Sequence, residues 1–137
     1  MIKPTKKSDI KVNWHIFDAK DQILGRFVSK IAVILVGKNK PYFVRNLDCG
    51  DHVVVINAKL VKVTGKKELQ KKYTSFSGYP SGLRTQTLSE LRERYPERII
   101  EKAVINMLPK NKLRDQFMKK LHVFSEEKHD YEDKFKK

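Results

Sequence analysis

The chain has 137 residues, the size of one domain with tails, and carries 30 Lys plus Arg against 16 Asp plus Glu, for a formal charge of +14. So large an imbalance favours a polyanionic partner such as nucleic acid, while an apolar fraction of 39% argues for a packed core and against a wholly disordered basic chain. One cysteine excludes an internal disulfide, and the opening "MIKPTKKSDIKVN" has no secretory apolar region, so a reducing compartment is expected, cytoplasmic in preference to organellar.

Taken in chain order, "WHIF" at 14–17 reads as a short strand ended by Asp18, and Asp21 offers a side-chain cap for a helix from about Leu24. Leu24, Phe27, Val28, Ile31 and Leu35 share one helical face, and Gly37 can close that helix in the left-handed conformation. The most apolar stretch, "IAVILV" at 31–36, is far short of the about twenty residues a membrane span needs, so no membrane segment is expected. "HVVVIN" at 52–57 is a continuous apolar run, the pattern of a strand covered on both faces, and strand, helix and strand make a βαβ unit.

"LVKV" at 60–63 reads as a further short strand, and 66–87, rich in Lys, Ser, Thr, Gly and Tyr, as a projecting basic loop or hairpin. Thr87 and Glu90 have capping-box spacing. Pro96 suits the first turn of a helix whose stripe of Ile99, Ile100, Ala103, Val104, Met107 and Leu108 is stopped by Pro109. Asn111 can cap a further turn carrying Leu113, Phe117 and Leu121, and "HVF" at 122–124 reads as a last strand. The expected organisation is a basic N-terminal extension at 1–13, a single α/β domain at 14–124, and a loosely held tail at 125–137.

One stretch invites a catalytic reading. "NLDCGDHVVVINA" at 46–58 sets Cys49 between Asp48 and Asp51 with His52 beside them. A catalytic thiolate wants cationic neighbours, yet Cys49 is flanked by two carboxylates, and no other Cys or His stands at metal-ligand spacing. A turn around Gly50 launching the strand, with Cys49 as a small packed residue, accounts for the same residues. Nucleotide fingerprints are absent: Gly65-Lys66 lacks the rest of a P-loop, and "DAKDQILG" lacks GxGxxG. No cofactor, metal or small-molecule substrate is expected.

The cations cluster instead. Lys38 and Lys40 form one group, Lys59, Lys62, Lys66, Lys67, Lys71 and Lys72 a second, and Lys110, Lys112, Arg114, Lys119 and Lys120 a third. The second runs into Tyr73, Phe76 and Tyr79 on the glycine-bearing 66–87 segment, which also holds Arg84. Cations and stackable rings on one projecting segment suit RNA with splayed bases.

The blocks "WHIFDAKDQILGRFVSKIAVILVGKNKPYF", "DCGDHVVVINAKLVKVTGKK", "KYTSFSGYPSGL" and "AVINMLPKNKL" resemble, in order and spacing over about 14–124, the bacterial-type large-subunit ribosomal protein thirteen family. The resemblance implies a three-layer α/β/α sandwich on a four-stranded, mainly parallel sheet. It also implies a non-catalytic role binding large-subunit ribosomal RNA early in assembly, with neighbouring large-subunit proteins as further partners. RNA contacts carried over with matching blocks are Lys38 and Lys40, Lys66 and Lys67, Lys72 and Tyr73, Gly78, Tyr79 and Gly82, and Lys110 and Asn111. The chain departs from the family's usual residues at Phe76, Ser81, Asn106 and Arg114. In this family the position of Cys49 carries no chemistry, in agreement with the turn. A small α/β enzyme using Cys49, Asp51 and His52, or a free nucleic-acid-binding regulator, are the competing expectations.

Overall fold

The computed structural model describes residues 4–136; residues 1–3 of the expected extension and residue 137 of the expected tail lie outside the described residues. β1 (Trp14–Asp18), α1 (Leu24–Val36) and β2 (His52–Ile56) form the βαβ unit, with β1 and β2 parallel and Trp14 in register with His52. Along α1 the buried side chains are Leu24, Phe27, Val28, Ile31, Ala32, Leu35 and Val36, so its β-branched C-terminal run stays helical because that face is covered.

The start of α1 differs from expectation. Asp21 sits at φ 59° and its carboxylate pairs with Lys62 at 2.9 Å, while the residue preceding the helix is Ile23, which makes no side-chain cap. The Leu24 N–H is instead satisfied by the Lys62 carbonyl at 2.8 Å. A neighbouring segment supplies the acceptor that a cap would otherwise provide. Gly37 ends the helix as expected, at φ 86°, its N–H donating to the Val33 carbonyl at 3.0 Å. A Cβ at Gly37 would lie 2.5 Å from the Cys49 carbonyl oxygen, and one at Gly50 would collide with the Leu35 carbonyl, so helix end and 48–51 turn touch backbone to backbone.

α4 (Glu97–Met107) and α5 (Arg114–Lys119) lead to β5 (Leu121–Val123), which adds to the free side of β2, giving a parallel sheet of order β1–β2–β5. Val53, Val54 and Val55 of central β2 are all fully buried. α1 and α4 pack side by side over the face carrying Phe17, Val53, Val55 and Leu121. Ile99, Ile100, Val104 and Leu108 are buried there, whereas Met107 is exposed: Leu108, held extended before Pro109, leaves the helix at Met107 and takes the inward position.

The opposite face carries Trp14, His52 and His122. Trp14 stacks on His52 with ring centroids 4.2 Å apart, and Tyr131 lies 4.4 Å from His122. Phe135 meets Trp14 edge-on, so residues beyond β5 fold back over this face. Backbone bonds from Asn57 to Glu126 and from Ala58 to Phe124 fix the return.

The 66–87 segment is a hairpin. α2 (Lys67–Gln70) precedes β3 (Lys72–Phe76) and β4 (Leu83–Thr87), which pair antiparallel as a sheet of their own. α3 (Leu88–Arg94) follows at once, and Thr87 and Glu90 make both bonds of the capping box. The expected strand at 60–63 is absent. Asn57 at φ 58° turns the chain into a 3-10 turn at Ala58–Leu60, after which only Lys62 bridges, parallel, to Ile23. Among the described residues the main sheet therefore has three strands, in a mixed α/β fold, and no helix is long and apolar enough to cross a membrane.

Candidate RNA-binding surface

The 48–52 turn uses its polar groups for packing. Asp51, 1% exposed, accepts from Lys40 Nζ at 2.5 Å, from His15 Nε2 at 2.8 Å and from the Asn13 N–H at 3.0 Å. Asp48 pairs with Lys120 at 3.0 Å and accepts from the Gly50 N–H. Cys49 is fully buried, and His52 lies under Trp14 with its Nδ1 unpartnered. Burial lowers the His52 pKa, reinforced by Lys120, so its ring is neutral at pH 7. No hydrogen bond joins Cys49 to Asp51 or His52 among the described residues, and a nucleophile–base pair is not assembled here.

Lys40 faces inward. Its side chain is 9% exposed, and besides Asp51 its ammonium donates to the Lys11 carbonyl. Its partner in the sequence cluster, Lys38, is exposed just past the end of α1.

Hairpin and α2 bring four of the six lysines of the second cluster to an exposed surface, whereas Lys59 pairs with Glu126 and Lys62 with Asp21. Lys66, Lys67, Lys71 and Lys72 are all exposed around α2 and the start of β3, where Gly65, at φ 66°, turns the chain into the helix. This short helix is anchored by Glu68, which receives two bonds from Arg92 at 2.8 and 3.1 Å, while Arg92 also donates to the Lys59 and Val61 carbonyls. Tyr73 differs from the other rings. It packs half-buried against the core with Lys71 and Lys102 over its faces at 5.5 and 4.9 Å, and burial raises its pKa.

At the far end of the hairpin, Phe76 and Tyr79 are 68% and 75% exposed. Gly78 at φ 87° and Ser81 at φ 62° make the left-handed steps of the turn, and Ser81 occupies a conformation a glycine would adopt without strain. Gly82 donates to the Tyr79 carbonyl at 3.0 Å, and a Cβ there would collide with Ser77 Oγ. Arg84, exposed on β4, stands in register with Ser75. Residues 70–89 include no Asp or Glu, and Glu68 of α2 is paired with Arg92, so the hairpin presents cations at its base and free rings at its tip with no unpaired carboxylate between them.

The third cluster divides. Lys120 is spent on Asp48 and the Gly50 carbonyl, whereas Lys110 and Lys112 are exposed in the α4–α5 connection and Arg114 opens α5 half-exposed. Asn111 caps as expected, its Oδ1 accepting from the Leu113 N–H at 3.1 Å. Lys38 and Asn111 meet across a groove of about 350 Å³, together with Arg45. Val36, Phe43 and Phe117 form part of its apolar floor. Arg45 escaped sequence reasoning because it stands alone in "PYFVRNLD", outside every run of cations.

Two kinds of relative match this chain. The sequence pattern of the family described as Ribosomal protein L13 matches residues 12–130. The chain is 50% identical over 126 residues to the large ribosomal subunit protein uL13 of Solibacter usitatus, covering 92% of this chain and 87% of that one. It is 46% identical over 127 residues to the protein of the same name from Geobacillus kaustophilus, covering 93% and 88%. For that from Thermobifida fusca the identity is 48% over 127 residues, covering 93% and 85%. With matching blocks that run from β1 through β5 and beyond, the chain belongs to the ribosomal protein L13 family.

Proposed function

We propose that this chain is a structural constituent of the large ribosomal subunit that binds large-subunit ribosomal RNA and supports early subunit assembly. The observation that carries the reading is family membership over residues 12–130, joined to an exposed basic hairpin with no Asp or Glu between residues 70 and 89. The protein is a ribosomal protein and not an enzyme; it makes and breaks no bond. Its place is the ribosome, in the cytoplasm, and its partners are the RNA and neighbouring large-subunit proteins.

In this mechanism Lys66, Lys67, Lys71 and Lys72 neutralise phosphates and release their condensed counterions, which lowers the repulsion between RNA segments that must pack together. Phe76 and Tyr79 stack on unpaired bases at the hairpin tip, and Arg84 pairs with a phosphate along β4. Gly78 and Gly82 hold the turn open for close approach of the RNA, while Lys71 and Lys102 reach RNA beside Tyr73. Lys38, Lys110, Asn111, Lys112 and Arg114 form a second contact region. Lys40 supports it from within, through Asp51.

Residues 14–124 serve as the RNA-binding domain, with 1–13 as a basic extension and 125–137 as its tail. A three-layer α/β/α arrangement on a four-stranded sheet, as the resemblance implies, takes the 60–63 segment as its further strand, a reading supported by the parallel Lys62–Ile23 bridge.

The test is protein–RNA crosslinking in intact particles, read residue by residue, with co-sedimentation of the protein and large subunits through high-salt washing. Crosslinks from the hairpin to large-subunit RNA are expected. A protein that washes off the subunit, or crosslinks only to other RNA or DNA, would overturn the proposal in favour of a free regulator.

A further inference from the structure

The groove between the end of α1, the 43–47 loop and the α4–α5 connection has a shape that phosphate neutralisation alone does not use. We infer that it receives one unpaired nucleotide of the ribosomal RNA, the base entering the apolar floor and the adjoining phosphate lying between Lys38 and Arg45. The inference rests on the RNA-binding reading and adds to it a subsite for a single base.

Size, floor and rim agree. At about 350 Å³ the groove is at the small end of the roughly 300–1,000 Å³ range of small-ligand sites. The floor offers the half-buried ring of Phe43 beside Val36 and Phe117, a surface on which a base can lie out of water. Lys38 and Arg45 on the rim are exposed, and neither is in an ion pair among the described residues. No acidic side chain lines the groove, so its charge is complementary to a phosphodiester.

Asn111 supplies a polar group inside. Its Oδ1 is committed to the Leu113 N–H at 3.1 Å, which leaves the side-chain NH2 to donate to a base carbonyl or a phosphate oxygen. The exposed Lys110 and Lys112 continue the positive rim beyond it, along the path a strand would follow past the groove. An apolar peptide would gain the floor but would leave Lys38, Arg45 and the Asn111 amide facing it without partners.

The experiment measures binding of a full-length large-subunit ribosomal RNA transcript to the whole chain at four or more salt concentrations, with each variant shown folded by circular dichroism and melting. Asn111→Asp retains the acceptor for Leu113 and replaces the donors by a carboxylate, so it tests the groove with little risk to the fold; a loss of roughly tenfold or more is expected. Arg45→Ala should weaken binding and lower the log–log salt slope by about 0.7, the share of a single phosphate. Phe43→Leu should weaken it by at least roughly fivefold with the slope unchanged, since a stacked base releases few counterions.

Wild-type affinity for Asn111→Asp and Phe43→Leu, alongside weakened binding on replacing the hairpin lysines, would overturn the subsite and leave RNA binding standing. A slope change for Arg45→Ala without any loss for Phe43→Leu would overturn base insertion, the phosphate then crossing an empty groove. Variants that bind RNA normally but fail to enter subunits would assign the groove to a neighbouring protein and also overturn the proposal. A wild-type chain without salt-dependent binding to the transcript would refute the RNA-binding reading itself.

Discussion

Removing Asp51 should erase much of the molecule's margin of stability while altering no surface charge that RNA could touch. The carboxylate is 1% exposed, and its partner Lys40 is 9% exposed. Asp51→Ala leaves the Lys40 ammonium with the Lys11 carbonyl alone and strips an acceptor from His15 and from the Asn13 N–H. Breaking such a pair from one side costs about 3–5 kcal/mol. At about 3–4 °C per kcal/mol for a chain of this size, Tm should fall by roughly 9–20 °C. Asp51→Asn, which preserves one acceptor, should cost less, about 1–3 kcal/mol.

The pH dependence gives a second reading of the same site. Burial by itself would raise the Asp51 carboxyl, but the hydrogen bond from Lys40, with those from Asn13 and His15, outweighs it and holds the pKa below its ordinary value. The unfolded chain, with Asp near about 3.9, therefore takes up the proton first as pH falls. The stabilisation is fully present above about pH 5 and is lost as pH drops through the folded pKa. Urea titrations of wild type and Asp51→Asn from about pH 7 to about pH 3 should show a gap that is constant at neutral pH and closes below about pH 4. A double-mutant cycle with Lys40→Met should show that the two losses are not additive. A gap under about 1 kcal/mol for Asp51→Ala at pH 7, or one that does not change with pH, would refute this account of the turn. A lower salt slope for RNA binding by folded Lys40→Met would return Lys40 to the phosphate-contacting set.

Replacing Lys66, Lys67, Lys71 and Lys72 by Ala should weaken RNA binding and flatten its salt slope by up to about 0.7–0.9 for each phosphate left without its cation, whereas Tyr79→Ala should cost roughly 1–3 kcal/mol with the slope retained; titration against salt separates the two. Gly37→Val forces a β-branched residue to φ 86° with its Cβ 2.5 Å from the Cys49 carbonyl oxygen, so a loss of at least about 2 kcal/mol is expected, and an unchanged thermal melt would contradict the helix end described here. Burial, with Lys120, lowers the pKa of His52, and burial beside His52 lowers that of His122. The unfolded state then protonates first, so their contribution is present above about pH 6.5 and lost as pH falls further. Histidine NMR titrations should place both rings below about 6.5, and a value above it for either would contradict their packing between Trp14 and Tyr131.

Features with local causes could be read along the chain before any fold was known. α1 was legible because a 3–4 spacing of apolar residues specifies a covered helical face wherever the partner lies, and Gly37 because a left-handed helix end needs little beyond its own φ. Thr87 and Glu90 bond to backbone three residues away, so their capping box required no knowledge of the fold. The basic, acid-free run at 70–89 and the family blocks were likewise readable in one dimension.

Residues that are equivalent in sequence take on different work through the packing around them. Lys38 and Lys40 are two positions apart and alike as letters, yet one is exposed and the other is held by a buried carboxylate eleven residues onward. Tyr73 and Tyr79 part in the same way, one packed against the core and the other free at the hairpin tip. Arg45 joins Asn111 across a groove, and Trp14 meets His52, His122 and Tyr131, through contacts that span most of the chain. The capacity for a salt bridge or a stack belongs to the side chain, but whether it is realised depends on desolvation and distance, and both are set by distant segments converging on the sheet.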